Sequence, residues 1–141
     1  MRRSGLPMAE ETTRPRVVIA EDFVLIQENI RTVIQPLCEI VAAVEDGETA
    51  LEAVAKHAPD ILLLDVSLPD MNGFAVAEKL NSVNSAVSVI FVSAYGDRGY
   101  AKRAFEMGAK GYILKGTMLT ELPAAIREVA RGGAYQSPLV A

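Results

Sequence analysis

Tryptophan is missing from this sequence of 141 residues, and cysteine and histidine occur once each, as Cys38 and His57. A lone cysteine excludes an internal disulfide framework, and with a lone histidine it excludes the common Cys/His zinc sites. No apolar run approaches the length of a membrane span, and the N-terminus has no apolar stretch of signal-peptide type. Positive charge is also short: 14 Lys and Arg stand against 18 Asp and Glu, a formal charge of −4. The segment through Arg16 holds four arginines and two glutamates, so residues 17–141 carry −6. Such a domain brings no cationic surface to displace counterions from nucleic acid or an anionic membrane. What the chain does have is 50% apolar residues against 23% charged, at the length of one ordinary domain, which predicts a packed core rather than disorder. A single soluble, cytoplasmic domain with no membrane partner is the expectation.

Residues 1–15 are rich in Arg, Glu, Thr and Pro, lack a hydrophobic period, and are expected to form a flexible N-terminal tail. The domain proper is expected over 16–141. There, short apolar runs (Val17–Ala20, Ile40–Val44, Ile61–Leu64, Val87–Val92 and Tyr112–Leu114) alternate with longer amphipathic segments. Several runs are continuous rather than alternating, as in parallel strands covered on both faces. Ile26, Ile30, Val33 and Leu37 share one helical stripe, and Leu122, Ile126 and Val129 another. Asn72 and Asp97 stand where helix caps are wanted, and Gly108 where the second of those helices ends. Pro123 is tolerable in a first turn, which puts the start of the last helix near Thr120. The alternation predicts a doubly wound α/β fold with a five-stranded parallel sheet in three α/β/α layers.

Right-handed crossovers align all strands, so their carboxyl ends share one edge, where such sheets bind ligands. The first run is followed by Glu21 and Asp22, the third by Asp65, the fourth by Ser93 and the fifth by Lys115. Taken singly, each is ordinary: polar residues are common where strands enter loops, and Lys115 alone reads as a surface lysine. Together they are not ordinary. Clustered carboxylates repel and raise one another's pKa unless a cation joins them, and a hard, oxygen-seeking ion suits the donors, Mg²⁺ before Mn²⁺. Lys115 and Ser93 beside it suit a phosphoryl oxygen, and Asp65 a carboxylate nucleophile toward phosphorus.

Four segments then carry a family resemblance: Val-Ile-Ala-Glu21-Asp22, Leu-Leu-Leu-Asp65-Val-Ser-Leu-Pro69-Asp-Met-Asn-Gly73, Phe-Val-Ser93-Ala94-Tyr95, and Gly108-Ala-Lys-Gly-Tyr112-Ile-Leu-Lys115. In order and spacing the chain resembles the receiver domain of bacterial two-component response regulators, which implies a flavodoxin-like sheet with strand order 2-1-3-4-5. Its end, Ala125 to Pro138, is similar to receivers of the NarL/FixJ (LuxR-type) subfamily. The resemblance implies that Asp65 is the phosphoacceptor for a sensor histidine kinase or phosphotransfer protein, and that the chain is a signalling phosphoacceptor rather than a turnover enzyme. It implies Mg²⁺ held by Asp22, Asp65 and the backbone carbonyl of Ser67, with Glu21 acting directly or through water. It implies Ser93 and the Ala94 N–H at the phosphoryl group, Lys115 as its counter-charge, and Tyr112 as an aromatic switch that turns inward with Ser93. In that subfamily a helix-turn-helix domain comes next; here it is expected to be absent, leaving DNA and transcription control to a missing C-terminal domain. The switched surface is expected to form a phosphorylation-dependent homodimer or to release that domain. Gly116 departs from the proline that many receivers carry after the lysine.

A stand-alone receiver acting only through protein contact is the alternative. A haloacid-dehalogenase-type phosphatase is remote, since it needs an Asp where Ser67 stands. His57 and Cys38 read as a surface residue and a buried small hydrophobe, and Tyr95 as either packing or a flank of the phosphoryl group.

Overall fold

The computed structural model describes residues 14–140. The expected tail therefore falls on residues 1–13, outside the described residues, except for Arg14 and Pro15. Those two are tied down: the Arg14 guanidinium donates to the carbonyls of Gln35 (2.9 Å) and Cys38 (2.8 Å), and the Pro15 carbonyl accepts from the Glu39 N–H (2.9 Å).

Six strands and five α-helices make up the described chain. In order they are β1 (Arg16–Ala20), α1 (Val24–Ile34), β2 (Glu39–Val44), α2 (Gly47–His57), β3 (Ile61–Asp65), α3 (Gly73–Ser82), β4 (Ser88–Ser93), α4 (Arg98–Glu106), β5 (Gly111–Leu114), α5 (Met118–Ala130) and β6 (Tyr135–Gln136). All strands pair in parallel, in the order β2-β1-β3-β4-β5-β6. The expected five-stranded sheet is thus corrected to six. β6 has no apolar run to betray it; backbone bonds from Tyr135 N–H to the Lys110 carbonyl and from Ser137 N–H to the Tyr112 carbonyl (both 2.9 Å) make it a strand. No helix among the described residues is long and apolar enough to cross a membrane.

The continuous apolar runs are explained by two cores. Val18, Leu62, Leu64, Phe91 and Tyr112 face one side, where α2, α3 and α4 cover them. Val17, Ile19, Leu63, Ile90 and Ile113 face the other, beneath α1 and α5. Each fully buried Leu or Ile contributes about 1.5–3 kcal/mol, so burial on both faces dominates the stability of the sheet.

Helix boundaries are set by local chemistry, with two departures from expectation. Asn72 and Asp97 cap α3 and α4 through their side chains, and Gly108 takes a positive φ of 91° just past α4. α1 stops at Ile34, which is fully buried, and Leu37 lies in the turn beyond it. Pro36 has no N–H to extend the ladder. α5 starts at Met118 rather than Thr120, after a 3₁₀ turn over Lys115–Thr117, so Pro123 sits in its second turn. There proline forfeits one bond, to the carbonyl of exposed Leu119, and the buried stripe of Leu122, Ile126 and Val129 offsets the loss.

Candidate functional site

Strand register assembles the site. Ala20 pairs with Leu64, so the next residues, Glu21 and Asp65, emerge side by side at the carboxyl edge. Asp65 pairs with Val92 and Ser93 pairs with Leu114, which brings Ser93 and Lys115 to the same edge one step further along the sheet. The β1 end is fastened before it turns away. Glu21 N–H donates to the Val44 carbonyl (3.0 Å), Gln27 Nε2 donates to the carbonyls of Glu21 (3.0 Å) and Val44 (3.2 Å), and the Phe23 N–H donates to Glu21 Oε2 (3.0 Å).

The resulting cluster is buried and under-paired. Glu21 and Asp65 are 1% and 3% exposed. Lys115 Nζ donates to Asp65 Oδ2 at 3.0 Å and lies 3.1 Å from Glu21 Oε1. The second contact is an ion pair without hydrogen-bond alignment, so Glu21 Oε1 accepts no hydrogen bond, and neither does Asp22 Oδ1. Burial pushes the Glu21 carboxyl up from its ordinary range; the Asp65 charge adds to this, against the Phe23 N–H and Lys115. Burial works to lower the Lys115 ammonium, and its hydrogen bond to Asp65 with the nearby Asp65 and Glu21 charges overcomes this, leaving it raised.

One carboxylate oxygen each from Glu21, Asp22 and Asp65 lies within 4.8 Å of the other two. Buried anionic oxygens without donors are costly, and hard oxygen donors at that spacing fit Mg²⁺ or Mn²⁺. The residues present therefore fit such an ion.

Around the cluster, Ser93 is fully buried and its Oγ accepts the Tyr95 N–H at 2.9 Å. Tyr112 is also fully buried and its hydroxyl donates to the Tyr95 carbonyl at 2.6 Å. Burial raises the Tyr112 phenol, opposed by its hydrogen bond with Ser93. Tyr95 itself is 45% exposed and stacks on Tyr100 of α4 with ring centroids 4.9 Å apart. Ser67 is exposed; its N–H donates to Asp65 Oδ1 at 2.9 Å, holding the loop after β3 against the carboxylate. Gly116 lies in the 3₁₀ turn, which closes with the Thr117 hydroxyl on Glu121. His57 is half-buried at the far end of α2, and Cys38 is buried with its thiol pushed up to about 11 by burial. Sequence reasoning assigned no role to Gln27 or Asp70, because both bond to backbone groups, which leave no side-chain signal in the sequence.

A family model for the response regulator receiver domain matches residues 17–127. The transcriptional regulatory protein DegU of Brevibacillus brevis is 36% identical over 127 residues, which cover 89% of this chain and 54% of DegU. The oxygen regulatory protein NreC of Staphylococcus haemolyticus is 31% identical over 85% of this chain and 57% of its own length. The chain spans little more than half the length of these curated relatives. Among solved structures, the signal receiver domain of NarL from Mycobacterium tuberculosis superposes with a TM-score of 0.80 at 31% identity, covering 84% of this chain and 98% of that one. A LuxR-family two-component response regulator from Aurantimonas sp. SI85-9A1 gives 0.84 at 26% identity, over 89% and 91% of the two chains.

Proposed function

The chain belongs to the response regulator receiver domain family, in its NarL and DegU branch, and from that premise we propose that Asp65 accepts a phosphoryl group from a sensor histidine kinase or phosphotransfer protein. It is a signalling domain rather than a metabolic enzyme, and residues 16–141 form the functional unit. The observation that carries the reading is the buried, under-paired cluster: Asp65 with Lys115 on one oxygen and the donor-free oxygens of Glu21 and Asp22 beside it.

Asp22, Asp65 and the Ser67 carbonyl would hold Mg²⁺, with Glu21 direct or through water; when bound, the ion neutralises charge on the phosphoryl oxygens. An Asp65 carboxylate oxygen attacks phosphorus; the O–P bond forms as the P–N bond to the donor imidazole breaks, and the imidazole keeps the electron pair. Lys115 then turns from Asp65 Oδ2 to a phosphoryl oxygen, and Ser93 donates its hydroxyl to another, releasing the Tyr95 N–H. Because Tyr95 also holds the Tyr112 hydroxyl, a shift at Ser93 reaches the aromatic switch through that one loop. The output is a change at the α4-β5-α5 surface, read as homodimer formation or as control of a DNA-binding domain beyond this chain.

The test is incubation with a small phosphoryl donor in Mg²⁺ and in excess chelator. A hydroxylamine-labile adduct that needs the metal and is lost in Asp65→Asn supports the reading. Full labelling of Asp65→Asn, or undiminished labelling in chelator, contradicts it.

A further inference from the structure

The loop between β3 and α3 contains Ser67, and it is fastened from outside by residues with no place in the phosphoryl chemistry. Asp70 reaches 23 residues back along the chain: its Oδ1 accepts the Gly47 N–H at 2.7 Å and its Oδ2 accepts the Glu48 N–H at 2.9 Å. These are the first two N–H groups of α2, and they hold the Asp70 carboxyl below its ordinary range. The helix has a cap of its own, since Asp46 Oδ1 accepts the Thr49 N–H at 2.8 Å and the Asp46 carbonyl accepts from Ala50 at 3.0 Å. Gly47 is buried beneath Met71 while Glu48 is exposed, so Asp70 takes up the two donors that the Asp46 cap leaves over, one of them shut off from water. The clasp therefore ties the loop to the helix across 23 residues of chain as well as completing the helix end.

A second contact agrees. Met71 lies so close over Gly47 that a Cβ there would overlap its Cγ and stand 3.0 Å from its Sδ. Gly47 has an ordinary negative φ, so close approach and not backbone conformation is what calls for glycine. The base of the loop is closed independently, by the bridge between Ser67 and Asn72 and by the Gly73 N–H on the Val66 carbonyl (2.7 Å). Base and tip are both pinned, with Ser67 at the base.

We infer that Asp70 is a positioning residue for metal binding: by clasping the start of α2 it fixes the loop that carries the Ser67 carbonyl, although it touches neither ion nor phosphoryl group. The inference rests on the reading of Glu21, Asp22, Asp65 and Ser67 as the metal site. Partners that orient a metal's ligands typically govern affinity by about tenfold or more.

The experiment is calorimetric titration of MgCl₂ into the full chain and its variants, with each variant's melting temperature measured in chelator. Asp70→Ala is expected to weaken Mg²⁺ binding about tenfold. Asp70→Asn should fall between it and the unaltered chain, because a carboxamide oxygen serves only one of the two N–H groups. Gly47→Ala, which unseats Met71 and leaves the carboxylate, should weaken binding in the same direction. Asp46→Ala is the structural control: it removes the helix cap and lowers the melting temperature, and Mg²⁺ affinity should stay unchanged. Unchanged affinity in Asp70→Ala, or an equal loss in Asp46→Ala, overturns the inference and leaves the metal site standing. Absence of Mg²⁺ binding by the unaltered chain overturns the metal site and the inference with it.

Discussion

At the amino-terminal edge of the sheet Arg14, Arg16 and Asp60 meet, much as Glu21, Asp22, Asp65 and Lys115 meet at the carboxyl edge. β1 and β3 supply charged residues to both ends. The amino-edge groups are satisfied in the open: Arg16 N–H donates to Asp60 Oδ2 at 2.8 Å, and its guanidinium to the His57 carbonyl. The ion pair of Arg16 with Glu39 is long, at 3.9 Å, with side chains 38% and 66% exposed. That edge also has a groove of about 660 Å³ bordered by Arg14, Asp60 and Ser88. The carboxyl edge instead buries its carboxylates and leaves two of their oxygens without donors. Charge alone does not separate the two ends. Burial with incomplete pairing does, because desolvated charge retains its full demand for a partner.

The largest expected difference between the edges is in stability. Lys115→Ala leaves Asp65 and Glu21 buried without their cation and should cost about 3–5 kcal/mol at neutral pH in chelator. Arg16→Ala should cost less than about 1 kcal/mol from its ion pair, which is long and solvent-exposed at Glu39. Denaturant unfolding of both variants checks the ordering, and equal losses would break the distinction between the two edges.

Alkaline pH probes the amino-edge side through Cys38, whose thiol is raised from 9.0 to about 11 by burial, against the Arg14 charge. The folded state favours the neutral thiol, so this contribution is complete below pH 9 and is lost as pH rises from 9 to 11. The loss should reach up to about 3 kcal/mol. It should disappear in Cys38→Ala, whose stability would stay flat across that window apart from other alkaline titrations.

The smallest effect is on metal affinity. Asp22→Ala should weaken Mg²⁺ binding at least about tenfold, roughly 1.4 kcal/mol, by removing one of few hard oxygen donors. Asp60→Ala should leave affinity unchanged, although Asp60 ends up just as close to β1 and β3. Calorimetry on the pair sharpens the comparison, and a response to Asp60→Ala would mean that long-range charge alone governs binding.

Much of this was legible in the residues. The runs at Val17–Ala20 and Ile61–Leu64 announced strands covered on both faces. The positions just past the ends of the runs put Glu21, Asp22, Asp65, Ser93 and Lys115 on one edge. Asn72 and Asp97 announced their helices because capping is local chemistry, settled within a few residues. β6 was not legible, since two residues held by backbone bonds to β5 leave no hydrophobic pattern. Nor was the Asp70 clasp, since a carboxylate that captures backbone N–H groups of another element makes no demand on the side chains there.

The sequence by itself determined the fold class, the positions of the first five strands and the list of charged groups at the site. Periodicity and strand-end position depend on neighbours in the chain, which a sequence displays directly. Only the tertiary structure decided which of those groups are buried, that Lys115 holds Asp65 and Glu21 while Asp22 Oδ1 is left without a donor, and that Asp70 fastens the loop from α2. Burial and long-range pairing arise from the packing of elements far apart in the chain, and that packing is set by the whole fold at once.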